Sequence, residues 1–206
     1  VAGGIAAYKA LELIRGLQAR GHRVRCVLTR AGAEFVTPLS LQALSGDKVY
    51  SDLFSLTDES EMGHIQLSRD ADLLAVVPAT ADILAKMAGG HADDLATTLL
   101  LATDKDVLVA PAMNVRMWQH PATQANLATL RERGVRVVDP AAGDMACGEH
   151  GPGRLAEPET IAAAIAAELV PERPLAGVRA LVTSGPTHEP IDPVRYLANR
   201  ASGKQG

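Results

Sequence analysis

The sequence predicts an α/β protein in three layers, a parallel sheet covered on both faces by helices. Three observations predict it. Strand-like and helix-like segments alternate along most of the chain, which is the signature of strands joined by helical crossovers. The strand-like runs are short and almost wholly apolar, as in 72–77 and 107–110. At 206 residues, with 47% hydrophobic and 21% charged side chains, the chain is long enough for one sizeable core with an appendage.

From Ile5 to Arg20, the residues Ile5, Tyr8, Leu11, Ile14 and Leu17 recur at three-residue steps with charges between them, and Gly21 follows as a stop. That spacing predicts an amphipathic helix. Arg23 to Leu28 then alternates, with Val24, Cys26 and Leu28 on one face, which predicts a strand and makes Cys26 core packing. Asp72 to Val77, Val107 to Ala110 and Val135 to Val138 read as further strands. Ala81 to Gly89, Asp94 to Ala102, and Pro121 to Arg133 before Gly134 read as the helices between them. The opening Val1-Ala2-Gly3-Gly4 reads as the end of a strand and its turn, and Ser202 to Gly206 as the middle of a loop, so both ends are expected to continue.

Composition excludes several classes. A net charge of −4 and only six aromatic residues leave neither a basic field for phosphate backbones nor a stacking platform for bases, so no nucleic-acid partner is expected. No apolar run approaches about 18 residues, so no membrane span is expected. Cys26 and Cys147 stand far apart without CxxC spacing or a secretory leader, which points to a reducing, cytoplasmic setting.

Open parallel sheets bind ligands beyond the carboxyl ends of their strands, where helix N-termini present free N–H groups. The junctions there are Gly3-Gly4-Ile5-Ala6, Thr29-Arg30-Ala31-Gly32, Pro78-Ala79-Thr80-Ala81-Asp82 and Pro111-Ala112-Met113-Asn114. Their small residues admit a close backbone, and Thr29 and Thr80 offer hydroxyls suited to phosphate. The same residue types also serve as ordinary helix caps. Together they favour a nucleotide-like cofactor, although Gly3-Gly4 lacks the G-x-G-x-x-G spacing of a dinucleotide site.

A fifth junction, Gly143 to Leu155, holds four glycines and a proline beside Cys147, Glu149, His150 and Arg154. Such a density of backbone breakers predicts a loop, and one able to fold closely over a ligand. Cys147 and His150 would give a metal only two ligands, so no metal site is predicted. His64 can move a proton near neutral pH, and the Asn114 amide can orient a carboxylate without adding charge. Each has an ordinary alternative, a surface histidine at a helix start and a capping asparagine.

Gly3-Gly4-Ile5-Ala6-Ala7-Tyr8-Lys9, Gly63-His64-Ile65, Val77-Pro78-Ala79-Thr80-Ala81, Ala110-Pro111-Ala112-Met113-Asn114 with Met117-Trp118, and Met145-Ala146-Cys147-Gly148-Glu149 with Gly153-Arg154-Leu155 carry a resemblance. In that order they resemble the decarboxylase half of the bifunctional coenzyme A biosynthesis flavoproteins. These join phosphopantothenoylcysteine decarboxylase to phosphopantothenate–cysteine ligase. The resemblance implies a flavodoxin-like (Rossmann-like) domain over residues 1–170 that binds FMN and decarboxylates 4′-phosphopantothenoylcysteine to 4′-phosphopantetheine. It also implies a homo-oligomer, trimer-based and reaching a dodecamer.

By motif, His64 is the implied base, Asn114 the residue that holds the substrate carboxylate, and Cys147 the acid that completes reduction. Gly4, Ile5, Thr29, Thr80, Ala81, Asp82, Ala112 and Met113 are the implied cofactor contacts. Met145, Ala146 and Arg69 join Asn114 around the substrate. Residues 171–206 resemble a linker and the truncated start of the ligase domain, with a strand from Val178 to Thr183 and Arg195 and Asn199 matching ligase-site positions. CTP and Mg²⁺ would serve that ligase half, whose remainder lies outside the sequence. Two other readings stay open: a prenyl-transferring or peptide-cysteine-decarboxylating flavoprotein of the same fold, and a regulatory flavoprotein without catalysis.

Overall fold

The computed structural model describes residues 1–52, 63–144, 148–170, 181, 184–202 and 204, with Gly63 and His64 described by backbone alone. The chain separates into two compact units, Val1–Val170 and Pro171–Gly206.

In the first unit, helices α1 (Lys9–Ala19), α2 (Pro38–Ser45), α3 (Gly63–Arg69), α4 (Ala81–Gly89), α5 (Leu95–Ala102), α6 (Val115–Gln119), α7 (Pro121–Glu132) and α8 (Pro158–Glu168) surround short parallel strands. Strands β1 (Cys26–Val27) and β2 (Val49–Tyr50) pair in parallel, Cys26 opposite Val49. Strands β3 (Leu73–Ala79), β4 (Asp106–Pro111) and β5 (Arg136–Val137) form a second parallel set in that order. Val1 and Ala2 lie between the two sets. The Val1 carbonyl accepts a hydrogen bond from the Thr29 amide at 3.1 Å, while Ala2 packs with Val76 and Ala79 of β3.

The core follows from the two-residue period of the strands. Val77, Leu108 and Ala110 point to one side, against Leu13 and Leu17 of α1 and Ile161, Ala162 and Ile165 of α8. Val76 and Val109 point to the other, against Ile83 and Leu84 of α4 and Leu127 and Leu130 of α7. A third cluster joins Ala7, Ile14, Cys26, Leu28, Val36 and Leu41. Cys26 is thus a buried free thiol in the packing, as its strand position predicts.

Several expectations change in detail. The helix expected from Ile5 to Arg20 begins as a 3₁₀ turn, Ile5–Tyr8, because Gly4 at φ 144° enters it from an extended, glycine-specific conformation. The strand expected from Arg23 shrinks to Cys26–Val27, the pair that meets β2. The larger correction concerns 143–155, expected to be a loop. It contributes to an antiparallel hairpin of β6 (Ala141–Asp144) and β7 (His150–Arg154). Gly151 and Gly153 adopt φ of 150° and 134° in β7, where glycine serves an irregular strand rather than breaking it.

Among its described residues the second unit carries an antiparallel hairpin, β8 (His188–Pro190) with β9 (Tyr196–Ala198), in which the rings of His188 and Tyr196 lie 4.6 Å apart, tilted by 35°. The strand expected at 178–183 lies outside the described residues except for Leu181, which has no regular structure.

Candidate functional site

The first-unit junctions meet because their loops press on one another. A Cβ on Gly3 would stand 2.7 Å from the Ala31 Cβ, and one on Gly32 would stand 2.6 Å from the Val1 carbonyl oxygen. These glycines bring the first turn against the turn that follows β1. Between these turns and the start of α4 lies a cleft of about 680 Å³, lined by Gly3, Gly4, Thr29, Arg30, Thr80 and Asp82, with Phe35 and Lys86 among its further walls. A smaller cavity of about 470 Å³ runs among core side chains such as Leu13, Leu17 and Leu73, and among the described residues Thr29 is its only wall that the sequence singles out as a site residue. The junction cleft is therefore the better site, since it gathers groups of ligand-binding type.

Both threonines have capping duties. Thr29 Oγ1 accepts the Gly32 amide at 3.0 Å, and Thr80 Oγ1 accepts the Ile83 amide at 3.3 Å as the N-cap of α4. A hydroxyl that accepts in this way keeps its proton to donate, so capping and anion binding are compatible. Asp82, one turn before Lys86, reaches it at 3.5 Å, and Asp93 holds the same ammonium at 3.0 Å. The Asp93 hydrogen bond raises the Lys86 pKa and lowers that of Asp93. Lys86, Glu34 and Phe35 line the cleft although the sequence reading did not single them out. For Lys86 the signal was present, as it lies four residues beyond Asp82 on the same helix face.

Asn114, Ala112 and Met113 sit at the carboxyl end of β4. The Ala112 amide donates to the Ala79 carbonyl, and the Met113 amide donates to the Gly153 carbonyl of β7, both at 3.0 Å. Asn114 Oδ1 caps α6 by accepting the Met117 amide at 2.8 Å, while its Nδ2 has no hydrogen-bond partner among the described residues. The hairpin closes on this junction. A Cβ on Gly151 would stand 3.0 Å from Val115, and Arg116 pairs with Glu149 at 3.2 Å. Asp144 and His150 are register partners at the feet of the turn and hydrogen-bond at 2.8 Å.

Met145, Ala146 and Cys147, between those feet, lie outside the described residues. His64 lies in the first turn of α3, and Arg69 ends that helix with an exposed side chain. Ala81 opens α4 and Ile5 opens the 3₁₀ turn with its side chain 63% exposed. In the second unit, Asp192 accepts the Arg195 guanidinium and its backbone amide, and Asn199 donates to Thr187.

Behind the hairpin, Glu157 receives both Lys9 at 3.0 Å and Arg154 at 2.6 Å. The Lys9 hydrogen bond is the main reason its carboxyl titrates below the ordinary range. A folded-state pKa below the unfolded one stabilises the fold above the unfolded value, roughly 4.3 for glutamate, and that contribution is lost as pH falls through the folded value. Glu157→Gln is accordingly expected to lower stability at pH 7 and to flatten the loss of stability below about pH 5. Urea unfolding at a series of pH values measures both, and parallel curves for parent and variant would refute the assignment.

These features define a doubly wound α/β protein with a ligand cleft at the carboxyl edge of its sheet, of the kind that holds nucleotide cofactors. The chain belongs to the flavoprotein family: the family model described as Flavoprotein matches residues 1–170, and that described as DNA/pantothenate metabolism flavoprotein C-terminal domain matches residues 175–206. Curated relatives include the coenzyme A biosynthesis bifunctional protein CoaBC of Vibrio vulnificus strain YJ016, 50% identical over 206 residues, and that of Escherichia coli K12, 48% identical. Each match covers 100% of this chain and 51% of the relative, so the chain spans about half the length of the curated relatives it matches.

Among solved structures, a cysteine-to-serine mutant of PPC decarboxylase complexed with pantothenoylaminoethenethiol is 34% identical with a TM-score of 0.71, covering 81% of this chain and 93% of that one. The FMN binding protein AtHal3 is also 34% identical, with a TM-score of 0.70 over 82% and 92% of the two chains. The flavodoxin-like fold is therefore established. Among the described residues, no helix is long and apolar enough to cross a membrane, and no group of three or more His, Cys, Asp or Glu is placed to hold a metal ion.

Proposed function

We propose that residues 1–170 bind FMN and decarboxylate 4′-phosphopantothenoylcysteine to 4′-phosphopantetheine. The observation that carries this reading is the convergence of three glycine- and threonine-bearing junctions on one carboxyl-edge cleft, in a chain 50% identical to a coenzyme A biosynthesis protein. The cleft suits the cofactor. Its size falls within the range of about 300–1,000 Å³ usual for cofactor sites. Gly3, Gly4 and Ala31 admit the cofactor closely, while Thr29 and Thr80 retain hydroxyl protons to donate to an anion.

When bound, FMN supplies a reversible two-electron acceptor for the substrate thiol. Oxidation of the thiol-bearing carbon to a thioaldehyde places an electron sink two bonds from the carboxylate. Carbon dioxide can then leave as it does from a β-keto acid, its bonding pair passing into an ene-thiolate. Asn114, with Nδ2 available, holds the substrate carboxylate until it departs, and Met145, Ala146 and Arg69 also bind the substrate. His64 takes the proton that the substrate releases on oxidation. Cys147 delivers a proton to carbon when the ene-thiolate is reduced. Gly4, Ile5, Thr29, Thr80, Ala81, Asp82, Ala112 and Met113 position the cofactor.

Residues 171–206 open a CTP- and Mg²⁺-dependent ligase domain to which Arg195 and Asn199 contribute. The protein acts in the cytoplasm as a trimer-based homo-oligomer reaching a dodecamer. Exposed Ile5, Tyr8, Phe35, Leu39 and Met117 supply apolar surface for subunit contact.

Anaerobic incubation with the substrate, followed by mass spectrometry, tests the reaction. Loss of carbon dioxide with appearance of 4′-phosphopantetheine supports it, and an intact substrate beside bound flavin defeats it. Gly3→Val is expected to force the first turn away from Ala31 and weaken FMN binding by about tenfold or more, since overpacking costs roughly 1–3 kcal/mol. Titration of flavin fluorescence reads this effect directly, and an unchanged affinity would separate the glycine contact from the cofactor site.

A further inference from the structure

Two cations line the junction cleft, and they are not equivalent. Lys86 is committed to Asp93 at 3.0 Å and Asp82 at 3.5 Å. Arg30 is exposed at the turn after β1 and has neither an ion pair nor a hydrogen bond among the described residues. The same lining carries three acids, Glu34, Asp82 and Asp94, so its side chains alone offer an anion no net attraction. The first turn adds no hydroxyl, because Ile5 follows Gly4. Thr29 and Thr80 each spend a lone pair on a backbone amide and contribute one donated proton at most.

A phosphate monoester carries roughly 1.5 to 2 negative charges near neutral pH. Two neutral hydroxyl donors and backbone N–H groups leave that charge uncompensated against an acid-rich wall. We propose that Arg30 pairs with the phosphate of the bound flavin nucleotide and thereby sets the preference for phosphorylated over unphosphorylated flavin. The inference rests on the FMN reading above. A guanidinium suits the task because its planar fork donates two parallel hydrogen bonds to phosphate oxygens, and Arg30 gives up no existing partner to do so. Lys86, by contrast, would have to leave Asp93.

The test uses the full chain freed of flavin and titrated with FMN and with riboflavin, which lacks the phosphate. For Arg30→Gln, the FMN dissociation constant is expected to rise by about tenfold or more while that for riboflavin stays within about twofold. Arg30→Lys should fall between parent and Arg30→Gln. The gap between parent and Arg30→Gln should narrow as salt is raised from about 0.05 to about 0.5 M, as screening of an exposed pair requires. FMN affinity equal to the parent's in Arg30→Gln overturns the proposal, as does an equal loss of FMN and riboflavin, which would mark a structural role. A parent chain that binds neither flavin overturns the FMN reading and this proposal with it, whereas parental FMN binding that ignores Arg30 overturns this proposal alone.

Discussion

Cys147→Ser is expected to bind flavin normally and to halt after carbon dioxide has left. Formation of 4′-phosphopantetheine should fall by roughly 10²–10⁴-fold, the usual contribution of a positioned general acid. The oxidised, decarboxylated thiol compound should accumulate in its place. The reason lies in acidity: a thiol ionises near 8.5 and can release a proton to carbon, whereas an alkyl hydroxyl holds its proton far more tightly. The described residues on either side of Cys147 are fixed by contacts of their own. Asp144 and His150 pair with each other, and Gly151 lies against Val115, the residue after Asn114. Product analysis by mass spectrometry decides the matter. Undiminished 4′-phosphopantetheine from Cys147→Ser would remove the cysteine from the chemistry.

Leu108→Ala is expected to be strongly destabilising, costing about 2–5 kcal/mol. Leu108 is 1% exposed at the centre of β4, enclosed by α1 and α8, and a rigid sheet cannot collapse into the space its side chain leaves. For a domain of this size each kcal/mol corresponds to about 2–4 °C in the melting temperature. Leu101→Ala is the matched control. Leu101 is 60% exposed and has no place in the proposed subunit contact, so its loss should stay within about 0.5 kcal/mol. Thermal melts that rank the two variants the other way would contradict the core described above.

Legibility in the sequence depended on whether a signal was local. Helix α4 was readable to its ends because Thr80 caps it and Gly90 stops it, and α7 because Pro121 and Gly134 bracket it. Helix α2 carries the same kind of signal, Thr37-Pro38 at its start and Gly46 in a left-handed conformation at its end, but is too short to add a clear helical period between them. Strand β2 is two residues long and cannot display a period. The β6–β7 hairpin was hidden because glycine and proline normally end strands, and only the partner strand shows that here they do not. At the site, the junctions were legible as small and hydroxyl-bearing residues. Their convergence was not, since it depends on contacts such as Gly3 with Ala31 across 28 positions of chain. Nor does sequence distinguish a capping Thr29 from a ligand-binding one, because one hydroxyl does both.

The alternation of Val76 and Val77, and of Leu108 and Val109, also governs how substitutions combine. Each strand divides its side chains between two packed compartments, so a truncation on the α8 side and one on the α7 side share few neighbours. Distant, non-sharing sites add in free energy to within about 0.3–0.5 kcal/mol. Losses at Leu108 and Leu127 should therefore be independent, whereas Leu108 and Ile161 should show epistasis. A lineage or a combinatorial library can consequently remodel one compartment while the other keeps the strands, and the ligand-bearing turns at their ends, in register.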